Sequence, residues 1–137
     1  MRRRFLPLLV VVVAAGLLAG GAGAAWALSR SGPGTAKAKT LAVGSQPAAS
    51  VQGHKVTVTW TATSFTTGGA APGYVIRRYN VATGVGVGAT NGCSGTLTVL
   101  TCTETGVVSG SWQYTVTPAA GTNWRGPESP KSAVVVV

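Results

Sequence analysis

Few side chains in this sequence could act as an acid, a base or a nucleophile. There is one histidine, His54, two carboxylates, Glu104 and Glu128, two cysteines, Cys93 and Cys102, and no aspartate. A hydrolase triad requires a base that a third group holds in place. His54 follows Gln52-Gly53 in a turn sequence and reads as a solvent-exposed turn residue. Glycoside hydrolysis requires two carboxyl groups within roughly 5 to 9.5 Å of each other. Glu104 is expected in the turn before a strand at Ser111 to Thr117, and Glu128 beyond the far end of that strand. At about 3.3 Å per residue the strand alone separates them by roughly 20 Å. Gly84-Val85-Gly86-Val87-Gly88 has glycines at alternate positions and no helix after it, so it lacks the spacing and the helix N-terminus of a phosphate loop. A twisted or bulged edge strand is the expectation there. Two thiolates lack the further Cys or His ligands of a closed zinc site, and neither a metal nor a cofactor is expected. This inventory points away from an enzyme.

Residues suited to binding are easier to find. Arg77, Arg78 and Tyr79 fall in one β-rich run, so at least one guanidinium and the Tyr79 ring are expected on an outward sheet face, either as a solvated surface or as an anion contact. Trp124-Arg125 lies in a loop before the last strand. A tryptophan there either folds back over the end of the core, with Phe65 as its neighbour, or offers an apolar anchor to a partner. Arg77, Tyr79, Trp124 and Arg125 are therefore the candidate interaction residues.

The elements that position these residues begin after an export segment. Arg2-Arg3-Arg4 precedes an uncharged run from Phe5 to Leu28, an order that leaves the start of the chain in the cytoplasm and delivers the rest outside. Ala22-Gly23-Ala24 and Ala25-Trp26-Ala27 fit signal-peptidase cleavage. An uncut helix over residues 5–28 would instead rise about 1.5 Å per residue and anchor the chain in a membrane. Residues 1–28 are thus a signal peptide or a transmembrane anchor. Residues 29–40 are small, polar and turn-forming, a linker that cannot bury enough apolar area to order itself. The chain has a formal net charge of +9, yet much of the basic excess lies in these two segments. From residue 41 onward, five basic side chains stand against two acidic ones, which is weak ground for nucleic-acid binding by the domain.

Residues 41–137 alternate as strands do. Val56, Val58 and Trp60 share one face of Lys55 to Thr61, with threonines on the other, and Trp112, Tyr114 and Val116 share one face of Ser111 to Thr117. Tyr74 to Tyr79, Leu97 to Cys102, Thr83 to Thr90, Leu41 to Val51 and Ala133 to Val137 are also β-rich, making about seven strands separated by Gly-, Pro- and Asn-containing turns. No helical period occurs after Leu28. Cys93 and Cys102 lie in adjacent β segments around a Gly-rich turn, and in an exported chain they are expected to form a disulfide.

Val58-x-Trp60, Tyr74-x-Ile76 and Tyr114-x-Val116 resemble the core positions of fibronectin type III domains, in particular the small Thr- and Gly-rich ones of exported bacterial proteins. The resemblance spans residues 41–137 and implies an all-β, seven-stranded antiparallel sandwich of the fibronectin type III or immunoglobulin-like kind. The cysteine pair departs from the disulfide-free pattern of that family and does not match the inter-sheet bridge of antibody domains. The resemblance implies a non-catalytic cell-surface or secreted module for adhesion, spacing or protein interaction. The second expectation is a carbohydrate- or cell-wall-polymer-binding module, with Trp124, Tyr79 and the nearby arginines as its platform. The partner is then an unidentified protein or a cell-wall glycan, with the membrane as a further contact if residues 5–28 are not cleaved.

Overall fold

The computed structural model of the chain describes residues 38–137. The expected signal or anchor helix over 1–28, and all but the end of the 29–40 linker, lie outside the described residues.

The described residues form eight strand segments and one short 3-10 turn. In chain order the strands are β1 (Ala48–Gln52), β2 (Lys55–Thr59), β3 (Gly73–Asn80), β4 (Gly86–Gly88), β5 (Thr101–Thr105), β6 (Ser111–Ala120), β7 (Trp124–Arg125) and β8 (Val135–Val136), with the 3-10 turn at Asn91–Cys93. One sheet has the order β1-β2-β5, and the second has the order β4-β3-β6-β7 with β8 also on β6. All pairs are antiparallel.

The two inner faces meet in a core built by period-two alternation. Val56, Val58 and Trp60 enter it from the first sheet, and Tyr74, Ile76, Trp112, Tyr114 and Val116 enter it from the second. Trp60 meets Tyr74 edge-on, with ring centroids 5.7 Å apart, a favoured arrangement for aromatic quadrupoles. The Tyr74 hydroxyl in turn accepts the Thr63 amide at 2.9 Å.

Two expected elements are placed differently. The strand anticipated at Leu97 to Cys102 begins later, at Thr101, and continues through Glu104 to Thr105. Leu97 makes only an isolated bridge to Tyr74, while Val99 and Leu100 are exposed. Glu104 is therefore not a turn residue. It is fully buried on β5, opposite Val56. A carboxylate at an inward position hides the alternation from any apolar pattern.

The last strand, expected over Ala133 to Val137, is confined to Val135–Val136, and Trp124-Arg125, expected in the loop before it, forms the short strand β7. β7 and β8 both pair with β6, and the residues between them include Pro127 and Pro130, which lack the N–H a ladder needs. Ser129 and Ser132 still bond β6 through their own amides, which donate to the Val116 and Tyr114 carbonyls at 2.9 and 2.8 Å. Ser129 Oγ accepts the Val116 amide and Ser132 Oγ accepts the Tyr114 amide, each at 2.9 Å. The same hydroxyls donate to the carbonyls of Pro130 and Ala133.

Candidate interaction surface

Directly paired residues share a sheet face and successive residues alternate. Because Tyr114 and Arg78 point into the core, their neighbours Thr115, Arg77 and Tyr79 point outward from the second sheet. Arg125 joins that outer face, since it pairs with Ala119, which pairs with Gly73, two and four residues before Val75 and Arg77.

The outer face carries a cluster organised around Tyr79. The Arg77 guanidinium lies 5.6 Å from the Tyr79 ring centroid and the Lys131 ammonium 4.4 Å from it, both within cation–π range. The phenol donates to Glu128 at 2.7 Å, and the Thr115 hydroxyl donates to the same carboxylate oxygen. Gly86 supplies the space beneath the ring, for a Cβ at that position would come within 2.3 Å of it. Close approach of an aromatic ring thus explains Gly86 alone, for a Cβ at Gly88 would meet nothing within 4 Å. Arg77 also donates to the Gly86 carbonyl at 3.1 Å. Burial, then the hydrogen bond and charge of Glu128, raise the Tyr79 phenol above its ordinary pKa.

Glu128 and Lys131 were not among the candidates taken from sequence. Each directly precedes one of the two serines that bond β6, so pinning Ser129 and Ser132 turns both charged side chains onto the outer face. The repeat of a charged residue before serine at a spacing of three was the available signal, but nothing local specifies the register.

Trp124 sits at the other end of the sheet. Its ring centroid is 5.5 Å from that of Phe65, so it folds back over the core end as the first alternative required, yet it stays 43% exposed and retains a surface for contact. It pairs with Ala120, whereas Tyr79 pairs with Gln113. Seven residues along β6 correspond to roughly 23 Å. Tyr79 and Trp124 therefore do not form one continuous platform. Nor is the Tyr79 ring an open stacking surface, given Gly86 and Lys131 against it.

The inner face holds a second polar cluster. Glu104 accepts Arg78 Nη1 at 3.0 Å, the Thr90 amide at 2.8 Å, the Thr90 hydroxyl at 2.9 Å and the Tyr114 phenol at 2.9 Å. The Arg78 guanidinium also covers Trp112, 4.5 Å from the ring centroid. Burial first, then the Glu104 charge and hydrogen bond, push the Tyr114 phenol far above its ordinary value. The disulfide between Cys93 and Cys102 is present, with Cα atoms 5.2 Å apart, and ties the segment after Thr90 to β5. His54 is exposed in the β1–β2 turn, Nδ1 lying 2.9 Å from the Val107 carbonyl oxygen.

Glu104 and Glu128 are thus divided by the thickness of a sheet and not by its length, for their tyrosine and threonine partners on β3 and β6 include adjacent residues of opposite orientation. They face different sides and cannot flank one substrate bond.

Solved structures share this arrangement. A titin kinase with its flanking domains matches at a TM-score of 0.60 and 16% identity over 73% of this chain, which spans 18% of that longer chain. Module A71 of titin from human cardiac muscle matches at 0.56 and 16% identity, covering 73% of this chain and 92% of the module. The fold is a fibronectin type III or immunoglobulin-like β-sandwich. An Fn3-like protein from Clostridium thermocellum also aligns, at a TM-score of 0.49 and 20% identity, over 72% of this chain and 92% of that one. No family model matches the chain, and a search of curated proteins finds no match.

Proposed function

We propose that the chain is a non-catalytic exported module, acting at the cell surface or after secretion in adhesion, spacing or protein interaction. The observation that carries this reading is the use of both carboxylates inside the fold. Glu104 accepts four hydrogen bonds in the core, and Glu128 accepts two hydroxyls on the outer face. The fold itself adds support, because sandwiches of this kind serve many unrelated roles through sites placed on their surfaces. Export is supported by Arg2-Arg3-Arg4 before the apolar run from Phe5 to Leu28, and by a disulfide that joins the chain's two cysteines.

Fractionation of the native protein with intact-mass measurement tests the reading. The expected result is recovery from the membrane or the medium with a mass two hydrogens short, restored by reduction. Recovery from the cytosol with both thiols open to alkylation overturns it. The second reading, a carbohydrate- or cell-wall-polymer-binding module, is favoured by one specific observation: Arg77, Lys131 and Arg125 are exposed on the same sheet face.

A further inference from the structure

The two sheets have different outer faces. On the first, threonine hydroxyls satisfy one another across strands, Thr57 with Thr103 at 3.1 Å and Thr59 with Thr101 at 3.2 Å. On the second, the exposed cations Arg77, Lys131 and Arg125 share the surface with Thr117 and Gln113. Glu128 sits among them with its accepting oxygen bonded to Tyr79 and Thr115, and Glu104 is bonded inside, so this face carries more positive than negative charge. Arg125 borders an open cleft lined by Pro72, Gly73, Thr96, Ala119, Gly121 and Thr122, and its Nη1 lies 3.4 Å from Thr96 Oγ1. The cleft is mainly apolar, with Thr96 and Thr122 on its walls, a mixed surface of the kind a sugar ring packs against.

We infer that this face binds an acidic polysaccharide bearing carboxylate groups along its chain. The inference rests on the exported-module reading and names its partner. The cleft takes a sugar ring whose carboxylate meets the Arg125 guanidinium. A further acid group meets Arg77 and Lys131, both of which rest on the Tyr79 ring. Arg77 pairs with Thr115 and Arg125 with Ala119, so the two cationic points are about 13 Å apart along the strands. Thr117 lies between them for the hydroxyls of an intervening sugar. Two acid groups of one such chain, a few sugars apart, reach both points at once. Duplex DNA, with one charge per about 1.7 Å of axis, offers no free sugar hydroxyl to the cleft or to Thr117.

The test uses the full chain as recovered in the fractionation, with polygalacturonate as probe and dextran, poly(glycerol phosphate) and duplex DNA as comparators. Polygalacturonate is expected to bind more tightly than all three. R125Q and the double change Arg77→Gln with Lys131→Gln should each weaken it about tenfold, the loss of a charge-assisted contact. Lys55→Gln removes one exposed charge from the other sheet and should leave binding within about twofold. Equal losses in all three variants, or equal or tighter binding of any comparator, overturn the inference. Failure of the unaltered protein to bind polygalacturonate overturns it as well. An oxidised protein outside the cell that binds none of these polymers leaves the adhesion or spacing reading standing.

Discussion

Glu104 and Glu128 have closely similar partners and opposite surroundings. Each accepts one tyrosine and one threonine hydroxyl, from Tyr114 and Thr90 in one case and from Tyr79 and Thr115 in the other. Glu104 is fully buried and adds a guanidinium and a backbone amide, while Glu128 is half-buried on the outer face. The difference shows what burial demands of a charge. A carboxylate taken out of water must have its lone pairs filled, and removing one partner of such a pair is more destructive than never having built it. At the surface, water supplies whatever the protein does not.

The largest effect that would sharpen the contrast is Glu104→Gln. It leaves Arg78, whose side chain is 14% exposed, without its counter-charge, and chemical denaturation should show a loss of about 3 kcal/mol. A loss no greater than that of Glu128→Gln would break the comparison.

Next in size is the disulfide. Changing Cys93 and Cys102 to serine together should cost on the order of 2 to 3 kcal/mol, as expected for a loop of about ten residues. The bridge also ties down the segment that presents Thr90 to Glu104. A double-mutant cycle should therefore find a smaller disulfide contribution in the Glu104→Gln background, with coupling of at least about 0.5 kcal/mol. Strict additivity would separate the two features.

Alkaline titration reads both tyrosines together. Their folded pKa values are raised above the unfolded value near 10. The folded state therefore binds more protons in that range, and the stabilisation is complete below about pH 10 and lost as pH rises through the folded values. Denaturation midpoints should fall above pH 10, and Tyr114→Phe should flatten that fall more than Tyr79→Phe, because the Tyr114 shift is the larger. Equal flattening by the two changes would show that burial does not distinguish the sites.

The smallest effect is that of Glu128→Gln. An exposed or half-exposed partner is worth little, so the loss should stay under about 1 kcal/mol in the same denaturation series. A loss matching that of Glu104→Gln would mean that the outer cluster is part of the structural core.

Much of the sandwich was legible because local pattern carries it. Lys55 to Thr61 and Ser111 to Thr117 alternate without interruption, and Val56, Val58, Trp60, Trp112, Tyr114 and Val116 all reach the core. The cysteine pairing was legible too, since the chain has two cysteines and they flank one Gly-rich turn. The edge-strand expectation for the glycines of β4 needed only their lack of a following helix, although the reason for Gly86 is a ring from the neighbouring strand.

Features that depend on near neighbours can be read along the chain: strand periodicity, the inward aromatic residues, the turn at His54 and the pairing of two cysteines. Which residues of distant strands share a face is set by folding of the whole domain. It placed Glu104 in the core beneath Arg78, turned Glu128 and Lys131 towards Tyr79, and separated Tyr79 from Trp124 along β6. Register explains the division. A one-residue shift of a strand exchanges its two faces, and in the last segment register is set by two serines bonding β6 where prolines lack an N–H, a relation between strands that neither strand encodes alone.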